Sequence, residues 1–229
     1  KLKKLFDSMS RLLRPQDQAQ QNTFRLEQLE PRLLLSADPL AVLTTESMVT
    51  LQVIEKGASE QYLQLVDTSA NTVISERKLS DIAADSTITI TGSSGNDVFN
   101  VDQSFLDLGE RDFIVQFDGG DGSDEVATDI DVTESGWQIS GEYSGSMGTG
   151  GIVEFSNTEK LSATQSDDST HLLSATNGSF NWQVTADNSG VLSILEDVEG
   201  SILQQVGPVN VEFYGFDEIV GTGTDYLDY

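Results

Sequence analysis

Short runs of alternating apolar and polar residues fill the chain from Met48 onward. The first three runs are residues 49–54, 62–66 and 72–75, and turn-forming residues separate them. Alternation with a period of two is typical of β-strands that bury one face, and turns between such runs indicate hairpins. After residue 87 the pattern continues between Gly/Asp turns with almost no helical period. The body is therefore predicted to be all-β.

Helical periodicity is confined to the beginning of the chain. One apolar stripe lies there beside lysines and arginines and consists of Leu2, Leu5, Phe6, Met9, Leu12 and Leu13. Pro15 ends the stripe, and a glutamine-rich stretch follows at 16–21. We predict a short basic amphipathic helix and a linker over residues 1–23. The helix either contacts an anionic membrane surface or a partner, or is a solvated leader.

Two internal repeats suggest the architecture of the body. Val-Glu-Phe at 153–155 recurs 58 positions later at 211–213, and Trp-Gln-Ile at 137–139 recurs as Trp-Gln-Val at 182–184. Equal apolar positions with unequal loops are typical of a solenoid, in which each coil stacks on the next. The predicted fold is a parallel β-helix or β-solenoid, with a β-sandwich as the alternative. The two tryptophans either belong to the core or stack on sugars at an exposed face.

Charge is distributed very unevenly along the chain. Residues 1–32 are net positive, whereas residues 33–229 hold five basic and 34 acidic residues, a formal charge of −29. Because a body of this charge repels nucleic acid and anionic lipid, neither is an expected partner. Cysteine is absent, which excludes disulfides and thiolate metal sites. No apolar run is long enough to span a bilayer.

One glycine-rich segment matches a calcium-binding pattern. Residues 119–127 fit the nonapeptide G-G-x-G-x-D-x-U-x at every specified position, and the segment resembles the repeat of RTX (repeats-in-toxin) proteins. The resemblance implies Ca²⁺ as cofactor, because the glycines turn the backbone and the aspartates supply charge to a hard cation. Together with imperfect copies at 92–99 and 221–227, the segment provides six candidate metal-site residues: Asp97, Gly120, Asp121, Gly122, Asp124 and Asp225.

The spacing of these copies leaves the role of calcium open. The motif aspartates at 97, 124, 167 and 225 are 27, 43 and 58 residues apart, whereas a calcium-bound β-roll stacks consecutive nonapeptides that share each ion. A continuous ladder of calcium ions is therefore not expected. The same residues also fit Gly/Asp turns that connect β-strands without metal.

A segment near the beginning carries a second resemblance. Residues 24–38, FRLEQLEPRLLLSAD, resemble the LEPR-XLL segment that opens many very large bacterial proteins of the cell exterior. The candidate sorting or anchoring residues are Leu29, Glu30, Pro31, Arg32, Leu34 and Leu35. The resemblance implies an export or anchoring address within residues 24–44, which secretion or outer-surface machinery reads on a type I-like route. The alternative role is a cap on the first coil of the body.

Candidate catalytic groups are scarce in this chain. His171 is the only histidine, and there is neither a cysteine nucleophile nor a Gly-x-Ser-x-Gly elbow. Polysaccharide elimination at paired carboxylates such as Asp167-Asp168 would need a basic residue, and none lies in a recognisable motif. We therefore expect a protein that is not an enzyme.

Together, these features predict the N-terminal module of a large secreted or surface-attached bacterial adhesin or matrix protein. Residues 45–229 would form a non-catalytic β scaffold that continues beyond Tyr229, with Ca²⁺ as a candidate stabiliser. Other protein subunits or surface glycans are the expected partners. The first alternative is a self-assembling subunit of an extracellular fibre or sheath, for which exposed β-edges are the physical route. The second alternative is a polysaccharide-active β-helix enzyme.

Overall fold

The computed structural model describes residues 38–43, 45, 47–57, 59–109, 111–128, 136–148, 152–164, 171–176, 179–198, 202–221 and 226–228. These residues belong to one compact unit, residues 35–229. The predicted helical leader and most of the predicted sorting segment lie outside the described residues.

Nearly all regular structure in the described chain is β-strand. The strands are β1 Asp38–Val42, β2 Met48–Lys56, β3 Glu60–Asp67, β4 Thr72–Lys78, β5 Ser86–Thr91, β6 Val98–Val101, β7 Phe113–Asp118, β8 Glu125–Thr128, β9 Trp137–Gly141, β10 Ser144–Met147, β11 Val153–Ser156, β12 Lys160–Ala163, β13 Leu172–Ala175, β14 Ser179–Ala186, β15 Ser189–Val198, β16 Ile202–Tyr214, β17 Glu218–Gly221 and β18 Tyr226–Asp228. A 3₁₀ turn, Leu79–Asp81, and a four-residue helix α1, Gln103–Leu106, accompany them. The predicted all-β class is confirmed.

The strands form two sheets. The eight-stranded sheet has the order β1-β5-β7-β11-β10-β9-β13-β17, and the ten-stranded sheet has the order β18-β14-β15-β16-β12-β8-β6-β2-β3-β4. From β5 to β8, and again from β11 to β12, each connection crosses from one sheet to the other. Equivalent strands then pair in parallel: Val115 of β7, for example, lies between Ile88 of β5 and Val153 of β11.

The two sheets do not form a regular β-solenoid, and the predicted parallel β-helix is not confirmed. Antiparallel pairs interrupt the parallel ones in both sheets, at β9-β10-β11, β2-β3-β4 and β14-β15-β16. In stacked coils each strand pairs with its equivalent in the next coil, whereas a hairpin strand pairs with its neighbour in sequence. Two sheets over a shared core are also a feature of the alternative, a β-sandwich, but the parallel pairs are not typical of that fold.

The internal repeat corresponds to a three-stranded antiparallel meander. Its two copies lie in β9-β10-β11 of the eight-stranded sheet and in β14-β15-β16 of the ten-stranded sheet. The copies share a tight contact: a Cβ on Gly145 would overlap the Gln138 carbonyl and lie 2.6 Å from the Phe155 ring, and Gly190 is placed in the same way in the second copy. Because each sheet holds one copy, the spacing of 58 residues does not measure a coil of a solenoid.

One hydrophobic core lies between the two sheets. Phe99 of β6 stacks on Phe117 of β7 with 4.7 Å between ring centroids, which joins the two sheets directly. Trp137 is fully buried and meets Phe216 edge to face at 5.5 Å, and Trp182 is 2% exposed. Complete burial of one such aromatic side chain contributes about 1.5–3 kcal/mol. The interpretation of both tryptophans as core residues is confirmed, and their burial contradicts the alternative, in which they stack on sugars at an exposed face.

Candidate functional site

The candidate metal-site residues lie in a column of tight connections between the sheets. This column, here termed the turn stack, consists of residues 92–97, 119–124 and 157–159, which follow β5, β7 and β11. Because these three strands pair in parallel and in register, their connections lie one above the next. The turn stack is therefore a product of strand pairing and not of the turn sequences alone.

Glycines allow the connections of the turn stack to approach each other. A Cβ on Gly92 would overlap the carbonyl oxygen of Gly119. Gly120 and Gly122 adopt φ angles of +96° and +136°, and a Cβ on Gly120 would lie 2.5 Å from the carbonyl oxygen of Ser93. Side chains other than hydrogen are excluded by both the backbone angle and the space. Close backbone packing alone thus accounts for these glycines.

Carboxylates tie each connection to the backbone of its neighbour. Asp97 Oδ1 accepts a hydrogen bond from the backbone N–H of Ser47 at 2.7 Å. Asp124 Oδ1 accepts one from the N–H of Asp97 at 2.7 Å, and Glu159 Oε2 accepts one from the N–H of Asp124 at 2.7 Å. These three residues are termed the carboxylate ladder. Since hydrogen bonds to a charged acceptor are stronger than neutral ones, the ladder fixes the order of the connections.

The two aspartates of the ladder differ at their second oxygen atom. Asp97 Oδ2 accepts from both the backbone N–H of Ser93 at 2.6 Å and its hydroxyl at 2.8 Å. Gly120 takes the place of Ser93 in the next connection and brings no hydroxyl. Asp124 Oδ2 is buried and has no hydrogen-bond partner among the described residues. Both aspartates are 0% exposed, so this oxygen is not at the protein surface.

These surroundings raise the pKa of Asp124 to about 6. Burial is the largest cause, because it disfavours the charged form of a carboxyl group. The N–H donated by Asp97 lowers this pKa, whereas the negative charges of Glu159, Asp97 and Asp118 raise it. Asp124 therefore takes up a proton in mildly acidic solution.

The turn stack offers few ligands to a cation. Ca²⁺ takes about six to eight oxygen ligands, and the part of the chain that the structure describes contains no cluster of three or more His, Asp or Glu side chains placed to hold a metal ion. The structure brings Asp97, Gly120, Gly122 and Asp124 together, and it leaves Asp121 exposed. Asp124 Oδ2 is the buried oxygen of the carboxylate ladder that has no hydrogen-bond partner among the described residues. It is therefore the ladder oxygen that is available to a cation or a proton. Calcium binding stays a prediction.

Several predicted site residues lie outside the described residues. They are Asp225 and the LEPR-XLL residues Leu29, Glu30, Pro31, Arg32, Leu34 and Leu35. The carboxylate pair Asp167-Asp168 lies outside them too. Their roles stay predictions.

The only histidine is held within the fold. His171 is fully buried, and its backbone N–H donates to Asp217 Oδ2 at 2.9 Å. Its ring Nε2 lies 2.9 Å from the carbonyl oxygen of Thr164. Nε2 therefore carries the proton, because a carbonyl oxygen can only accept. These contacts are those of a residue that supports the structure.

Sequence reasoning missed Glu159, the third member of the carboxylate ladder, and Ser47, whose backbone N–H donates to Asp97. Neither residue lies in a glycine-rich motif, so no turn signal marks it. A signal for Glu159 did exist, because Asp217 follows it by 58 residues and both carboxylates accept a hydrogen bond from a backbone N–H. Finding Ser47 requires the parallel pairing of β2 with β6, which the local sequence does not reveal.

No protein-family model, curated protein or solved structure matches this chain. Among the described residues, no helix has the length and apolar character needed to cross a membrane.

Proposed function

We propose that the body of this chain is a non-catalytic β scaffold in a large secreted or surface-attached bacterial protein of the adhesin or matrix type. The observation that carries this proposal is the carboxylate ladder. Asp97, Asp124 and Glu159 lie in three successive tight connections, and each accepts a hydrogen bond from a neighbouring backbone N–H. Groups bonded in this way hold strands in register, which is the task of a scaffold.

The charge of the body supports a role outside the cell. A formal charge of −29 over residues 33–229 keeps such a surface hydrated and soluble. It also creates repulsion within the folded protein, which cations weaken. A place outside the cell, where Ca²⁺ is abundant, is therefore the localisation we propose.

The LEPR-XLL segment is proposed to direct export or anchoring of the whole protein. The test is fractionation of cells that produce the full-length protein with and without residues 24–37. We expect the deletion to leave the protein inside the cell or to release it into the medium. A matched control deletes the glutamine-rich stretch 16–21 and should leave the surface fraction unchanged. Unchanged surface levels after deletion of 24–37, with the body folded, would refute the proposed address.

Self-assembly into a fibre or sheath is the second candidate function, and one observation favours it. β4 is the last strand in the order of the ten-stranded sheet, and its Val73 and Ile74 are 52% and 42% exposed. An edge strand with apolar side chains is a template for pairing with another chain. Light scattering at low and high protein concentration tests this function, and Ile74→Lys should abolish any concentration-dependent growth. A chain that stays monomeric throughout excludes it.

A further inference from the structure

A row of polar side chains crosses the outer face of the eight-stranded sheet. Strand register places six residues side by side on six neighbouring strands: Thr89, Gln116, Glu154, Ser146, Gln138 and Ser174. They are termed the polar row. The residues before and after them on each strand are buried, as Ile88 and Ile90 are beside Thr89. Because successive side chains of a strand point to opposite faces, the polar row faces away from the core.

One end of the polar row opens into a shallow trough. The trough has a volume of about 330 Å³, and its polar lining consists of Thr89, Thr91, Gln116, Asp118, Glu154 and Ser156. Two hydrogen bonds hold its longer side chains: Gln116 Nε2 donates to Glu154 Oε2 at 2.6 Å, and Asn157 Nδ2 donates to Asp118 Oδ1 at 2.7 Å. Side chains that are already held in place lose less conformational freedom when a ligand binds.

The outer face of the ten-stranded sheet is covered differently. Long charged side chains pair across its β2-β3-β4 hairpins, with Lys56 2.6 Å from Glu76 and Lys78 2.5 Å from Glu60. Charged side chains of this kind keep the surface of a sheet hydrated and soluble. The polar row has no lysine, arginine or aromatic residue, and Glu154 is its one charged member. An extended neutral molecule can therefore lie along the row without breaking an ion pair.

On the basis of the proposed role at the cell exterior, we propose that the polar row binds a neutral, linear glycan that runs across the strands. Sugar hydroxyls donate and accept hydrogen bonds, and the hydroxyl, amide and carboxylate groups of the row complement them. Neighbouring strands lie about 4.8 Å apart, which is close to the advance of one sugar ring along an extended glycan. Each successive strand can therefore offer one polar group to one successive sugar ring.

Charge selects a neutral glycan over an anionic one. The chain carries a formal charge of −26, and carboxylates line the trough at Asp118 and Glu154. Without a basic residue in the polar row, nothing there pairs with a sugar carboxylate or sulfate. An anionic polysaccharide would meet like charge along the whole face.

Affinity electrophoresis of the purified full chain tests this binding site. The native gels contain a neutral β-linked glucan, a neutral galactomannan or, for comparison, the anionic polymer alginate. We expect a neutral polymer to retard the protein and alginate to leave it unretarded. Gln116→Ala with Gln138→Ala removes two partners from the row and should weaken binding by about tenfold or more. Asn100→Ala, on the outer face of the ten-stranded sheet, is the matched control and should bind as the unaltered chain does.

Each outcome decides for or against the polar row. The inference is overturned if neither neutral polymer retards the protein, if alginate retards it equally, or if the double variant binds as well as Asn100→Ala. Urea denaturation of both variants checks that they are folded, so that a loss of binding can be told apart from a loss of structure. These results leave the proposed function untouched, because cell fractionation tests that function separately.

Discussion

Two neighbouring connections of the turn stack, 92–97 and 119–124, each contain a buried aspartate but differ in how well that aspartate is satisfied. Asp97 accepts three hydrogen bonds, from Ser47 N–H and from the N–H and hydroxyl of Ser93. Asp124 accepts one from Asp97 N–H, and its second oxygen is buried without a described partner. The connection that fits the calcium-binding nonapeptide completely is thus the less satisfied of the two. Ser93 satisfies the second oxygen of Asp97 with its backbone N–H and its hydroxyl. Gly120 has no hydroxyl and adopts a φ of +96°, and the second oxygen of Asp124 has no hydrogen-bond partner among the described residues.

Substitution of the two aspartates should give the largest difference between the connections. Asp97→Ala leaves the Ser47 N–H and both polar groups of Ser93 without their acceptor, and we expect a loss of about 3 kcal/mol in the free energy of unfolding. Asp124→Ala loses one hydrogen bond but also removes a buried charge, so we expect a loss of about 1 kcal/mol. Urea denaturation measures both values.

Asp121→Ala is the control for this pair, because its side chain is exposed on the same turn stack. It should change the free energy of unfolding by no more than about 0.5 kcal/mol. Equal losses for Asp97→Ala and Asp124→Ala would remove the distinction between the two connections.

The glycines of the second connection should be nearly as sensitive as the aspartates. Gly122→Ala places a Cβ against the carbonyl oxygen of Gly95 at a φ of +136°, and we expect a loss of about 2–3 kcal/mol. Gly57→Ala is the matched control: Gly57 also has a positive φ, +62°, but a Cβ there meets no atom within 4 Å. That change should cost about 1 kcal/mol. A similar loss for both variants in urea denaturation would mean that neither the close approach of the connections nor the φ of +136° is costly.

The raised pKa of Asp124 should make stability depend on pH. Its pKa is 3.8 in an ordinary setting and about 6 in the folded protein. The protonated form is therefore favoured on folding, so this stabilisation is fully present below about pH 4 and is lost as pH rises through about 6. Asp124→Asn keeps an acceptor for Asp97 N–H without the charge, and it should raise the free energy of unfolding at pH 7.5 by about 1–2 kcal/mol.

Urea denaturation of the variant and the unaltered chain between pH 4 and pH 8 checks this behaviour. The difference between their free energies of unfolding should be small near pH 4, rise up to about pH 6 and level off above it. A constant difference over the whole range would show that Asp124 does not titrate there. Asp121→Asn, which alters an exposed acid on the same turn stack, is the control for the removal of one carboxylate charge.

The two connections also show how much of this structure can be predicted from the sequence. Alternating runs of apolar and polar residues predict the strands, and the Gly/Asp motifs predict where the chain turns. Parallel pairing brings Asp97 into contact with Ser47 and Asp124 into contact with Glu159, which are 50 and 35 residues apart in the sequence. No local sequence pattern predicts contacts between residues so far apart. For the same reason, the repeat of Trp-Gln and Val-Glu-Phe predicts a recurring unit but not its nature. Hairpin and coil share the same alternation, and the choice between them depends on pairing partners.

Calcium should have the smallest effect, and it tests whether the free oxygen of the second connection serves a cation. If Ca²⁺ binds at Asp124 Oδ2, millimolar Ca²⁺ should stabilise the unaltered chain by about 1 kcal/mol, or roughly 2–4 °C in Tm, and Asp124→Asn should remove most of that gain. Mg²⁺ at the same ionic strength is the control, because either ion weakens repulsion among the surface acids. An equal rise in Tm with both ions, retained in Asp124→Asn, would mean that screening of the acidic body is the whole effect. The second connection would then be a closed turn like the first, with a proton rather than calcium as the partner of its remaining oxygen.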